Sequence, residues 1–178
     1  MAGGAFLAAL ALLLLVRVGP GVSYWTTIFP AILVLGLGLA MIIAPLTTAV
    51  MGAVPSDNAG IASAINNVAS RVAGLLAIAA LGVVVSLAFN ESLTDRTRDL
   101  APSPAISAQI DAARRDPSGA PLAADLDPTV AAAITDAATA SFHQAMIANA
   151  ILAALGGLAA ALTVGNTSVQ RLHEDVKF

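Results

Sequence analysis

Cysteine is absent from the 178-residue chain, which excludes disulfide frameworks, Cys-based zinc sites, iron-sulfur clusters and thiol nucleophiles. Charge is scarce as well, at 11% of residues, about half of what a globular chain carries. The formal net charge of −3 supplies no basic face, so no nucleic-acid partner is expected. Also missing are a Gly-rich phosphate loop after a strand, a two-histidine metal spacing and a serine elbow. Asp125 and Asp127 fall in a proline-punctuated stretch and read as solvated acids rather than a catalytic pair. Neither enzyme activity nor a cofactor is expected.

What remains is apolar: 58% of the chain is hydrophobic. No acidic or basic side chain occurs over residues 19–56, and His143 is the only titratable group over 137–170. Each stretch exceeds the roughly 20 residues that cross a bilayer. The expected fold is therefore an all-α integral membrane protein with four transmembrane helices, over about residues 3–16, 28–54, 60–89 and 136–165. Arg17, Gly19, Pro20 and Gly21 break the chain after the first span. Tyr24 and Trp25 mark a membrane interface before the second. Pro45 is a candidate kink in that second helix, and Gly36, Gly38 and Ala40 before it admit close approach of a neighbour.

A tight turn containing Pro55, Asp57, Asn58 and Gly60 connects the second and third spans. Residues 90–135 then hold most of the acids and five of the nine prolines, so they form an aqueous loop of about 45 residues. Ser103-Pro104 and Asp127-Pro128 each open a helix inside it by the cap-then-proline pattern. The second of these can run on into the fourth span, and residues 166–178 form a short polar tail.

The third span carries the candidate site. Ser63, Asn67, Ser70, Arg71 and Gly74 recur at spacings of three and four, with Asn66 bordering them. Beside them Ala69, Ala73 and Ala77 form a small-residue ladder suited to a partner helix. Arg71 is the one formal charge inside a span, which either lines a transport cavity or anchors at an interface. Asn66 and Asn67 are interhelical glue or ligand contacts, and His143 is a titrating group or an interfacial polar residue. No Asp or Glu lies within a span, so a proton relay would have to reside elsewhere.

The run Gly36-Leu-Gly-Leu-Ala-Met-Ile-Ile-Ala-Pro-Leu-Thr-Thr-Ala-Val, then Val54-Pro55, then Gly60-Ile-Ala-Ser-Ala-Ile-Asn-Asn-Val-Ala-Ser-Arg-Val-Ala-Gly, resembles the major facilitator superfamily. Within it the resemblance is to the fourteen-helix drug:proton antiporters, over roughly residues 36–82. It implies that the four spans correspond to the eleventh to fourteenth helices of such a transporter. It further implies alternating access between two helix bundles and export of hydrophobic or cationic compounds in exchange for protons. The expected partners are the lipid bilayer, the remaining helices of a longer transporter and a small hydrophobic substrate.

The resemblance places the Pro55 turn and the tail in the cytoplasm and the long loop outside, in a multi-pass protein of the plasma membrane. Basic residues near span ends fall on both sides and give no majority. The short first span reads as though the chain began inside a helix of a longer protein. Two alternatives stay open: a free-standing four-helix scaffold, and a small dimeric carrier, for which the spans lack the necessary acid.

Overall fold

The computed structural model describes residues 2–52, 54–98, 100, 103–115 and 126–175. Five α-helices account for most of them, with no strand among the described residues: α1 (Ala2–Leu15), α2 (Phe29–Gly52), α3 (Ala59–Thr97), α4 (Pro104–Arg115) and α5 (Pro128–Asp175). Three helical stretches, Tyr24–Ala49, Ala59–Thr97 and Pro128–Leu162, are long and apolar enough to cross a membrane. Helix α1 is apolar but has 14 residues, about 21 Å at 1.5 Å per residue.

Glycine decides how α1 meets its neighbours. A Cβ on Gly4 would lie 2.7 Å from the Gly38 carbonyl, and one on Gly38 would lie 2.7 Å from the Ala8 nitrogen. The two backbones touch where side chains would otherwise hold them apart, which is how helices associate where water supplies no driving force. Gly157 of α5 meets the same helix from the other side, its absent Cβ being 2.9 Å from the Ala5 Cβ. Pro20 and Gly21 make the sharp exit from α1, Gly21 adopting the positive φ of 78° that such a turn requires.

Helix α2 starts earlier than its apolar run suggests. Tyr24–Ile28 form a π-helical turn leading into Phe29, so Tyr24 and Trp25 belong to the helix and do not precede it. Their rings and that of Phe29 stack as a cluster with centroids 5.5–6.5 Å apart. Trp25 remains 72% exposed.

Helix α3 continues past Phe89 to Thr97, and α5 begins at Pro128 and runs on through the polar tail to Asp175. At 39 and 48 residues they measure about 58 and 72 Å, well over the roughly 30 Å of hydrocarbon. Residues 90–97 are thus helical too, ahead of the two helices expected to open at Pro104 and Pro128. Phe89 and Leu93 of α3 and Val130, Ile134 and Ala137 of α5 close a small core, with Ile106, Ile110 and Ala113 of α4 packed against it. Burying Phe89, Leu93 and Val130 completely contributes about 1.5–3 kcal/mol each. Residues 116–125, including Pro117, Pro121 and Asp125, lie outside the described residues.

Candidate functional site

The polar stripe of α3 stands uncovered. Ser63, Asn67, Ser70, Arg71 and Gly74 are exposed and Asn66 is half-buried, because α3 packs on α5 only toward its C-terminal half and has slight contact with α2. The Ser70 hydroxyl donates to the Asn66 carbonyl at 2.8 Å, closing that donor within the helix. The side chains of Asn66, Asn67 and Arg71 have no hydrogen-bond or ion-pair partner among the described residues.

Ala77, Ala80, Leu81 and Val84 of α3 line a cavity of about 690 Å³ walled by α1, α2, α3 and α5. Following the 3.6-residue repeat back from Ala77, that face continues through Ala73, Ser70 and Asn66, with Ser63 and Gly74 at its border. Asn67 and Arg71 lie roughly a quarter to a third of a turn away. Ala69, Ala73 and Ala77 of the ladder are all exposed, and of the three Ala77 lines the cavity. Among the cavity-lining side chains Asn149 is the one polar group, and its amide nitrogen donates to the Ala145 carbonyl at 2.9 Å.

Pro45 lies inside α2, which continues through it to Gly52. Its missing N–H leaves the Met41 carbonyl without the usual helical donor. Just beyond, the hydroxyls of Thr47 and Thr48 donate to the carbonyls of Ile43 and Ala44 at 3.0 and 3.1 Å.

His143 reaches from α5 to the connection after α1, its Nε2 2.6 Å from the Val18 carbonyl. A carbonyl only accepts, so Nε2 carries the proton in this bond. Nothing in the sequence announced this tie, since its acceptor is a backbone atom 125 residues away. Gly4 and Gly157 were likewise not singled out; their nearest signal was the small-residue doublets Gly3-Gly4 and Gly156-Gly157.

Polar contacts hold the helical cap beyond the spans. Arg96 pairs with Asp136 at 2.9 Å, Arg114 donates to the Thr94 hydroxyl at 3.0 Å, and the Asp127 N–H donates to Gln109. Asp127 caps α5: its carboxylate accepts from the Thr129 hydroxyl and from the Thr129 N–H. These bonds, the hydroxyl's first, hold its pKa below the ordinary carboxylate value. Among the described residues no group of three or more His, Asp or Glu side chains could hold a metal ion.

Over 135 residues, 75% of its length, the chain is 33% identical to the multidrug efflux pump LfrA of Mycolicibacterium smegmatis, covering 25% of that pump. It is also 43% identical over 70 residues, 39% of its length, to a triacylglyceride transporter of Mycolicibacterium hassiacum, covering 13% of it. Another triacylglyceride transporter, from Mycolicibacterium smegmatis, is 47% identical over 60 residues, 34% of the chain and 11% of that protein. The chain thus spans a quarter or less of the length of these relatives. No family model and no solved structure matches it. The likeness to transporters, with three helices long and apolar enough to cross a membrane, makes this a membrane protein related to transporters.

Proposed function

We propose that the chain forms the last four spans, α1, α2, α3 and α5, of a secondary active exporter of the major facilitator type, multi-pass in the plasma membrane. The exporter moves hydrophobic or cationic compounds against protons that bind to acids outside these helices. It does no covalent chemistry and needs no cofactor. The 690 Å³ gap and the bare polar stripe are then surfaces against which the rest of the transporter packs. The Pro55 turn faces the cytoplasm and the α4 cap faces outward.

The observation that carries this reading is Arg71, a guanidinium inside an apolar span, exposed and without a partner among the described residues. A charge in a membrane span is costly and is kept where it faces a bundle interior or an aqueous path. The likeness to an efflux pump over three quarters of the chain supports the same direction. In the complete exporter Arg71→Ala should lower export roughly ten- to hundredfold, the effect of losing one charged hydrogen bond of about 1.5–3 kcal/mol. Unchanged drug accumulation in cells holding equal amounts of variant protein would remove Arg71 from the mechanism and this reading with it.

A further inference from the structure

We propose that His143 is a positioning residue: reaching out of α5, it caps the exit of α1 and fixes the register of the two helices, which then move as one rigid pair during export. The movement rests on the exporter reading above; the cap and the register do not.

The first ground is an account of the carbonyls where α1 ends. Its last backbone bonds tighten to a three-residue step, Val16, Arg17 and Val18 donating to the carbonyls of Leu13, Leu14 and Leu15 at 3.0–3.2 Å. The turn at Pro20 and Gly21 then begins with the Gly19 carbonyl, which accepts from the Val22 N–H at 3.4 Å. Val18 lies between these two systems, and two residues on Pro20 has no N–H to offer. Its carbonyl accepts instead from the His143 Nε2–H at 2.6 Å. The carbonyls at a helix end must find donors outside the helix, and in hydrocarbon no water replaces a missing one. A C-terminal cap ordinarily comes from the residues that follow; this one comes from 125 residues away.

The second ground is spacing. Near its start α1 meets Gly157 of α5, whose absent Cβ would lie 2.9 Å from the Ala5 Cβ, and at its exit it meets His143. Ala5 and Val18 are 13 residues apart, and His143 and Gly157 are 14, about 20 and 21 Å of helical rise. A single contact is a pivot. Two at matching separations hold an antiparallel pair against sliding, and the hydrogen bond adds a direction that the glycine contact lacks.

The third ground is that no other polar side chain of α5 performs this task. Gly19 rests beside Thr139, one turn before His143, but the Thr139 hydroxyl donates within α5 to the Thr135 carbonyl. Among the described residues the His143 bond is the one side-chain hydrogen bond between α5 and residues 16–23.

The chain has no cysteine of its own. In the complete exporter, with its other cysteines replaced, nitroxide labels at Val22→Cys and Ile147→Cys, both exposed, report the distance from the connection to α5 by pulsed dipolar spectroscopy. Three proteins are compared: one with His143, His143→Phe, which keeps a ring and loses the donor, and His143→Gln, which keeps an N–H of similar reach. The cap predicts a narrow distance distribution for the first and third and a severalfold broader one for His143→Phe. Export should fall severalfold in His143→Phe and return in His143→Gln with its pH profile unchanged.

Equally narrow distributions in all three proteins overturn the inference. So does a His143→Gln protein that keeps the narrow distance but loses export or its pH dependence, since His143 would then act by its proton and not by its position. If His143→Phe fails to accumulate, His143→Gln decides alone, a narrow distribution supporting the cap and a broad one overturning it. Absence of export from the protein that retains His143, with the distances as predicted, sinks the exporter reading and leaves the cap standing.

Discussion

Gly4 and Gly38 show how much a single missing side chain can determine in a lipid-solvated bundle. A Cβ at Gly4 would meet the Gly38 oxygen at 2.7 Å and the Met41 Cβ at 2.8 Å, one a backbone atom and the other bonded directly to the backbone, so neither can swing aside. Gly4→Ala should therefore separate α1 from α2 at a cost of about 1–3 kcal/mol. Gly36 lies in the same helix with nothing within 4 Å of its absent Cβ, so Gly36→Ala should leave stability unchanged or raise it by about 0.5–1 kcal/mol. Unfolding in mixed detergent, followed by circular dichroism, gives both numbers; equal effects at the two positions would deny the backbone contact. Gly38 was legible in the sequence as one of a small-residue group ahead of Pro45, whereas Gly4 and Gly157 were not. A glycine becomes indispensable through the helix that crosses it, and that crossing is a tertiary fact absent from any local pattern. The same reason hid the His143 bond to the Val18 carbonyl.

Helices α3 and α5 separate two properties that an apolar run merges: where lipid ends and where a helix ends. The onset of polarity at Asn90 and of charge at Glu91 was legible as the exit from an apolar run, but hydropathy reports the solvent around a helix and not its backbone. Both helices continue where Phe89, Leu93 and Val130 close a core against α4. Leu93 is completely buried, so Leu93→Ala should destabilise the cap by about 2–5 kcal/mol. The exposed Arg96–Asp136 pair is worth about 0–1 kcal/mol, and Arg96→Ala should barely register. Hydrogen exchange of the α4 amides reads both; a larger effect from Arg96→Ala would mean that charge and not packing holds the cap. The start of α5 was legible from Asp127-Pro128, and the structure adds the partners of the cap. Hydrogen bonds from Thr129 lower the Asp127 pKa, so protons bind it more readily in the unfolded chain. Its stabilisation is complete above the unfolded value near 3.8 and disappears as pH falls through the lower folded value. Amide protection over the first turn of α5 should fall with acid in that range, and Asp127→Asn should flatten the dependence while keeping a capping side chain. A pH profile unaltered by Asp127→Asn would assign the acid sensitivity to another group.

At the scale of the whole molecule, the membrane class and the order of long helices follow from composition, because uncharged runs of such length have no other solvent in which their peptide groups and side chains are both satisfied. The arrangement of those helices does not follow from it: the slight contact of α2 with α3 and the cavity walled by four helices emerge only once the helices are placed together. Orientation in the bilayer is a property of this same scale. Basic residues count toward the cytoplasmic side, and here they oppose one another, with Arg71 and Arg171 toward one side and Arg17, Arg96 and Arg98 toward the other. Arg96 and Arg98 are each held by a carboxylate, Asp136 at 2.9 Å and Asp95 at 3.2 Å, yet acids weigh little in the charge rule, so these pairs do not settle the balance. The proposed orientation therefore rests on the family resemblance, which puts the α4 cap outside and the Pro55 turn in the cytoplasm. With the cap outside, a membrane-impermeant maleimide added to intact cells should label Asp111→Cys in α4 and should reach Asn58→Cys, in the turn before α3, only after permeabilisation. The reverse pattern would invert the α2–α3 hairpin and place Arg71 nearer the outer face. It would also leave the cytoplasmic side with the larger share of arginine, as the charge rule alone would have it.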